Sequence, residues 1–224
     1  MEIVPKFSLI KNNLKKGESQ VIWTSVVADL ETPVSAYIKL SKNEKNTFLL
    51  ESVEGGEIRG RYSIIGMKPD LIWKCKGNKA KVSKLAEKKK PKFINEKIGS
   101  LDSLRNLLKE CKIKLPDDLP PMASGIVGYM GFDTIRLIEE IRTKNISKLK
   151  LPDGVFIRPS IMAIFDSLKN VISLVAPIWY KNNMNPEKCY NEAIDRIQEA
   201  YDRLKQPIIE KNIQTLKSKK LKKI

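Results

Sequence analysis

Histidine is absent from the 224 residues of the chain. Its absence excludes Ser-His-Asp and Cys-His nucleophilic catalysis and histidine-ligated zinc. Cysteine is scarce as well, since Cys75, Cys111 and Cys189 are widely spaced and form no CxxC pair, a pattern typical of reduced thiols in a core. No run of 18 apolar residues is present, and the first residues lack the apolar segment of a secretory signal. The sequence therefore predicts a cytoplasmic protein with no membrane contact.

Negative charge is in short supply, because 42 lysines and arginines face 26 aspartates and glutamates, which gives a net charge of +16. The excess is local, since residues 74–97 and 207–224 are rich in lysine and contain one aromatic residue and no arginine. Nucleic-acid sites usually rely on arginine forks and on aromatic side chains that stack on bases. We therefore expect solvated lysines and no specific nucleic-acid site. A basic module that binds RNA or an acidic membrane surface is the alternative.

Most apolar residues fall in short runs of strand type, separated by turn residues at hairpin spacing. Gly77-Asn78 and the segment 166–170 are predicted hairpin turns, and Gly55-Gly56 is a further turn. The predicted strands are 21–30, 46–54, 61–66, 70–75, a return strand after Asn78, and two strands within 155–178. Strands that follow one another through hairpins form antiparallel sheets.

Helices are predicted between these strands. Thr32 and Asn185 are N-cap residues, each followed by a proline suited to the first helical turn, and Ser100 is expected to cap a third helix. The predicted helices are 33–40, 100–111, 134–141 and 186–204. This order predicts an α+β fold with largely antiparallel, sandwich-like sheets and with helices packed around and between them. We expect one domain over residues 1–206, followed by a lysine-rich tail over 207–224.

Three glycines at spacing three, Gly125, Gly128 and Gly131, resemble a phosphate loop only superficially. Their GxxGxxG spacing matches neither GxGxxG nor GxxxxGK[ST]. We interpret them as positions where two backbones approach closely. The acidic pairs at 117–118 and 139–140 are predicted in a loop and on a helix, where they solvate the surface. The sequence therefore predicts no catalytic residue and no metal ligand in this chain.

Glu51 and Ser52 are the candidate binding residues. They follow the apolar run Phe-Leu-Leu, where a carboxylate is costly unless it is paired. In one interpretation, Glu51 forms a surface ion pair with Arg61 across a hairpin. In the other, Glu51 and Ser52 bind the polar group of an aromatic amino acid, and Phe48 and Leu50 contact its ring. Because successive strand residues point to opposite faces, this second interpretation requires a bulge or a backbone contact.

Three ordered motifs resemble the N-terminal region of anthranilate synthase component I. The first is DLETPVSAY at 29–37, the second joins FLLES at 48–52 to GRYSIIG at 60–66, and the third is GIVGYMGFD at 125–133. The resemblance covers nearly the whole chain. It implies a part in tryptophan biosynthesis, because the family forms anthranilate and pyruvate from chorismate and ammonia. Members use Mg²⁺ and receive the ammonia from a glutamine amidotransferase subunit.

The resemblance also implies a regulatory role. In the family, the Leu-Leu-Glu-Ser motif belongs to the site where L-tryptophan binds and inhibits the enzyme. This implicates Leu50, Glu51 and Ser52, with Arg61 and Tyr62 on the neighbouring strand as weaker candidates.

The residues that bind chorismate and Mg²⁺ in this family, a histidine among them, belong to a C-terminal half that has no counterpart in the 224 residues. We therefore expect an N-terminal regulatory domain that is inactive alone, with residues 207–224 starting a linker to a catalytic domain. The alternatives are the N-terminal part of aminodeoxychorismate synthase component I, from the folate branch, and a truncated remnant without activity.

Overall fold

Eight strands and four α-helices make up the described part of the chain. The structure is a computed structural model, and it describes residues 1–42, 44–52, 60–84, 91–141 and 151–208. The strands are β1 (Gln20–Val27), β2 (Phe48–Glu51), β3 (Tyr62–Lys76), β4 (Lys79–Lys84), β5 (Ile94–Asn95), β6 (Val127–Met130), β7 (Gly154–Asp166) and β8 (Val171–Ile178). The helices are α1 (Phe7–Lys15), α2 (Pro33–Leu40), α3 (Ser100–Glu110) and α4 (Pro186–Lys205), and a 3-10 helix spans Phe132–Leu137.

The strands form one curled antiparallel sheet around the long β3–β7 pair. This ladder runs from Tyr62 opposite Asp166 to Cys75 opposite Gly154. The main order is β1-β8-β7-β3-β4-β5, while β2 pairs with the first half of β3, and β6 with the first half of β7. The predicted α+β class with antiparallel pairing is confirmed. The described strands belong to a single sheet and not to two stacked ones.

The two faces of the sheet are covered differently. Adjacent residues of β3 illustrate this, since Ile65 belongs to the core under the helices and Ile64 to the core on the opposite face. Helices α1, α2 and α4 cover the first face through small and branched side chains: Ile10, Leu14, Ala36, Leu40, Ala193, Ile197, Ala200 and Leu204. The second face is covered by the connector that follows α3, which supplies Leu119 and Ala123 to the core on that side.

A third core lies beneath α3 at the far end of β3. Trp73 is fully buried there, packs beside Leu107 and Cys111, and donates its indole N–H to Ser103 Oγ at 2.9 Å.

The cysteines are free thiols, as expected. Burial raises the pKa of Cys75 and of Cys111, which keeps both thiols protonated.

The predicted helix starts and turns are largely confirmed. Thr32 accepts a hydrogen bond from Ser35 N, and Ser35 Oγ accepts one from Thr32 N, a reciprocal capping box. Asn185 caps α4, and the 166–170 hairpin joins β7 to β8. Ser100 is instead the first residue of α3. Its hydroxyl donates to Gly77 O, and the N-cap position belongs to Gly99.

Two element predictions were wrong. The strands predicted at 61–66 and 70–75 are one strand, because the ladder continues past Pro69 through a register shift before Leu71. The helix predicted at 134–141 is a 3-10 helix over Phe132–Leu137, and Ile138 after it is largely exposed. A helix with no apolar surface to pack against gains little from tertiary contacts.

Some predictions lie outside the described residues. These are the Gly55-Gly56 turn and the lysine-rich tail beyond residue 208. Within the described ranges, no helix has the length and apolar character needed to cross a bilayer.

Candidate functional site

A cavity of about 490 Å³ lies between the second face of the sheet and the connector after α3. Residues 115–121 form its outer wall, and the sheet supplies the floor. The floor residues are Ser25 of β1, Tyr62 of β3, Ile164 and Asp166 of β7, and Val171 and Ser173 of β8. Because apolar, hydroxyl and charged groups converge there, the cavity has the character of a small-molecule site.

Arg61 and Asp166 form a bidentate ion pair at the rim of this cavity. Arg61 Nε donates to Asp166 Oδ1 at 3.0 Å, and its terminal nitrogen donates to Oδ2 at 2.8 Å. The Arg61 hydrogen bond lowers the pKa of Asp166, and the backbone N–H groups of Lys169 and Leu168 act in the same direction. Arg61 also lies over the ring of Tyr62, with 4.8 Å between the guanidinium carbon and the ring centroid.

The predicted ion pair between Glu51 and Arg61 is therefore wrong. Arg61 precedes β3 and turns toward the β7 side of the sheet, where Asp166 lies opposite Tyr62. Glu51 lies on the other side of β3, opposite Ser63, and is exposed.

Leu50, Glu51 and Ser52 lie at the end of β2 and do not line this cavity. The β2–β3 ladder is regular from Phe48 to Glu51, so no bulge brings Glu51 and Ser52 to one face within it. Leu50 lies on the same face of β2 as Phe48, and Leu50 is 45% exposed. Phe48 packs in the core beneath the connector. Glu51 lies on the opposite face. The three motif residues thus divide between the two faces of β2.

Two glycines of the GRYSIIG motif are required by close contacts with β2. A Cβ on Gly66 would lie 2.2 Å from the ring of Phe48, which covers this glycine. A Cβ on Gly60 would lie 2.0 Å from Ser52 Oγ, so the Ser52 side chain lies directly against Gly60. The motif therefore specifies how tightly β2 lies against the start of β3.

The GxxGxxG interpretation is confirmed at Gly128. A Cβ on this residue of β6 would lie 1.9 Å from Val155 O and 2.7 Å from Phe156 Cα, both backbone atoms of β7. Gly125 has a positive φ of 133°, which side chains rarely adopt. These glycines shape the sheet edge and do not form a phosphate loop.

Several cavity residues were not singled out by the sequence. Ser25 and Ser173 bring their hydroxyl oxygens to 3.4 Å of each other on the floor, although they are 148 positions apart. Asp117 and Asp118 line the outer wall, although we expected them only to solvate a loop. Each of these residues is ordinary in its own segment, and only the pairing of β1 with β8 and the path of the connector bring them together.

Within the described ranges, no three histidine, cysteine, aspartate or glutamate side chains are grouped as metal ligands would be.

Sequence comparisons relate the chain to proteins that share one name. The chain is 42% identical over 194 residues to "Anthranilate synthase component 1" of Cereibacter sphaeroides, which aligns 87% of this chain with 39% of that protein. It is 37% identical over 184 residues to the protein of the same name from Thermus thermophilus, which covers 81% of this chain and 35% of that protein. No protein-family model matches the chain.

The fold has a counterpart among solved structures. Anthranilate synthase component I from Streptococcus pneumoniae superimposes with a TM-score of 0.52 and 21% identity, over 81% of this chain and 37% of that chain. The two chains therefore share a fold over this region. By sequence, the chain belongs to the anthranilate synthase component I family, and it spans about two fifths of the length of the relatives it matches.

Proposed function

We propose that this chain is the tryptophan-sensing part of an anthranilate synthase component I. The complete protein would form anthranilate from chorismate, with ammonia from a glutamine amidotransferase partner and with Mg²⁺. We assign the chemical step to polypeptide outside the matched two fifths. Feedback by L-tryptophan is then the contribution of this chain to tryptophan biosynthesis.

The corner of the sheet where β2 ends and β3 begins is the proposed sensing surface. Leu50 lies in β2 and Ser52 follows this strand, while Arg61 precedes β3 and Tyr62 is its first residue. Leu50 offers partly exposed apolar surface, and Ser52 offers a hydroxyl that lies beside Gly60. An amino acid with an aromatic side chain needs an apolar wall for its ring and fixed polar groups for its charged end. The corner supplies both.

The observation that carries the proposal is that Arg61 and Tyr62, which belong to the proposed corner, also line the 490 Å³ cavity. A ligand held at the corner would contact the same strand ends that hold the connector. Binding there can therefore change how the connector lies on the sheet, and any part of the protein that touches the connector would respond.

The described residues do not complete the proposed site. Leu50, Glu51 and Ser52 line none of the described cavities. The remaining wall is assigned to polypeptide outside the chain, so ligand binding and the arrangement of the two parts are coupled. Coupling of this kind is typically about 1–3 kcal/mol.

Calorimetric titration with L-tryptophan tests the proposal on two proteins. One is the 224-residue chain. The other is a chimera in which this chain replaces the matched segment of the Cereibacter sphaeroides relative. We expect weak or undetectable binding to the chain and clear binding to the chimera. Absence of binding to both proteins, with the chimera folded and producing anthranilate, refutes the proposal. Micromolar binding to the chain alone shows that the site is complete without the rest.

A further inference from the structure

A second cleft, of about 710 Å³, lies between the α1–β1 loop, the end of α3 and the end of β8. Its lining is strongly basic. Five lysines and Arg158 face only two carboxylates, those of Glu18 and Glu110. The lysines are Lys84, Lys109, Lys112, Lys114 and Lys181. They come from three separate segments, so the topology and not a single lysine-rich run concentrates them.

These five lysines have no ionic partner within the described ranges. Lysines elsewhere in the same ranges do, since Lys39, Lys68 and Lys76 each lie within 4.0 Å of a carboxylate. No such pair includes a lysine of the cleft. Five lysines and Arg158 outnumber the two carboxylates of the cleft, so like charges repel one another there and an anion that enters relieves this repulsion.

An ion pair and a cation–π contact connect the residues on the floor of the cleft. Arg158 donates from Nε and from a terminal nitrogen to both oxygens of Asp70, at 2.7 Å each, and its guanidinium lies 4.6 Å from the centroid of Trp179. Arg158 is thus committed to Asp70 and holds the indole in place. The five lysines remain as the cations available to a ligand.

Trp179 adds an unsatisfied donor. It lines the cleft and is only 8% exposed, yet its indole Nε1 has no hydrogen-bond partner in the described part of the chain. A buried donor of this kind normally has an acceptor. An oxygen-rich ligand is the chemistry that the unpaired lysines favour, and the Trp179 indole lies beside them.

We propose that the cleft binds a small, multiply charged oxyanion of the phosphate class. Lysine ammonium groups act as point charges, which suits a compact ligand of high charge density such as a phosphate or pyrophosphate group. The concave shape concentrates the potential on a small volume and favours a small ligand over an extended polymer. The site is separate from the corner of β2 and β3, and the inference does not depend on the proposed function.

Pyrophosphate is the probe for the test, titrated into the 224-residue chain without divalent metal. Calorimetry gives the affinity, and heteronuclear NMR follows the indole N–H signals of Trp23, Trp73 and Trp179, with Trp179→Phe used for assignment. We expect saturable binding and a shift of the Trp179 signal. The Trp73 signal should stay in place, because its N–H is bound to Ser103.

Two charge-matched triple variants decide whether the cleft is the site. Replacement of Lys109, Lys112 and Lys114 by glutamine should weaken pyrophosphate binding at least about tenfold, because three nearby charges are lost. The control replaces Lys42, Lys45 and Lys97, which are exposed and do not line the cleft. Equal weakening in both variants, or an unmoved Trp179 signal at saturation, overturns the proposal. A single-stranded RNA oligonucleotide provides a further check. If it binds more tightly than pyrophosphate and also shifts the NMR signals of Lys42, Lys45 and Lys97, the proposal is overturned in favour of a general polyanion surface.

Discussion

The ion pair at the rim of the connector cavity gives the sharpest stability prediction. In Asp166→Asn the side chain keeps its size, and one oxygen can still accept from the N–H groups of Leu168 and Lys169. What is lost is the negative charge that receives two hydrogen bonds from Arg61. Charge-assisted bonds contribute about 1.5–3 kcal/mol when buried. Because the Arg61 side chain is 40% exposed, solvent screens the pair, and we expect a loss of about 1 kcal/mol in the free energy of unfolding at pH 7.

The loss should depend on pH in a definite direction. The pKa of Asp166 is lowered in the folded state, so the unfolded chain takes up its proton first as the pH falls. The stabilisation by this carboxylate is therefore complete above its unfolded pKa of about 3.9 and disappears as the pH falls through the lower folded value. The difference between the parent chain and Asp166→Asn should accordingly shrink in acid.

Urea unfolding at pH 7, 5 and 3.5, followed by circular dichroism, measures both effects. Asp118→Asn is the matched control, since Asp118 lines the same cavity, is exposed and forms no ion pair within 4.0 Å in the described ranges. It should change stability by less than about 0.5 kcal/mol at each pH. An Asp166→Asn loss that is equally large at pH 3.5 and at pH 7 would show that charge is not the cause.

Two further substitutions test other parts of the fold. Gly128→Ala should destabilise the chain by about 2 kcal/mol or more and remove hydrogen-exchange protection from β6, because its Cβ would overlap backbone atoms of β7; protection equal to that of the parent contradicts the assigned contact. Asn185→Ala should cost about 1 kcal/mol in urea unfolding, because the N–H groups of Glu187 and Lys188 lose their cap, and Asn185→Asp should restore most of it. If alanine and aspartate behave alike at position 185, the side-chain cap contributes nothing.

Local signals in the sequence predicted much of the fold, because they act over a few residues. The Thr32-Pro33 and Asn185-Pro186 starts satisfy the first N–H groups of their helices regardless of the rest of the chain. The break predicted near Pro69 failed for a long-range reason. The β7 strand opposite supplies Pro159 at the same level, and Lys68 adopts a positive φ of 49°, so the ladder absorbs both prolines as an irregularity.

The candidate binding residues Leu50, Glu51, Ser52, Arg61 and Tyr62 were singled out by the resemblance of their motifs to anthranilate synthase component I. The structure places them where β2 ends and β3 begins, and their role stays a prediction. The opposite side of the cavity depends on β1, β8 and the connector, which are far apart in sequence. No local pattern indicates that the proline-rich connector lies across the sheet. The residues on that side of the cavity could therefore be identified only from the structure.

The central claim is that the end of β2 senses tryptophan without taking part in the reaction. The most direct test measures anthranilate formation by the chimera with Ser52→Ala, as a function of tryptophan concentration. Ser8→Ala, at an exposed position of α1, is the control. We predict that Ser52→Ala raises the tryptophan concentration needed for half inhibition about tenfold, the value of one lost hydrogen bond, and leaves uninhibited turnover and the control unchanged. A parallel loss of turnover, or unchanged inhibition by tryptophan, would contradict the claim.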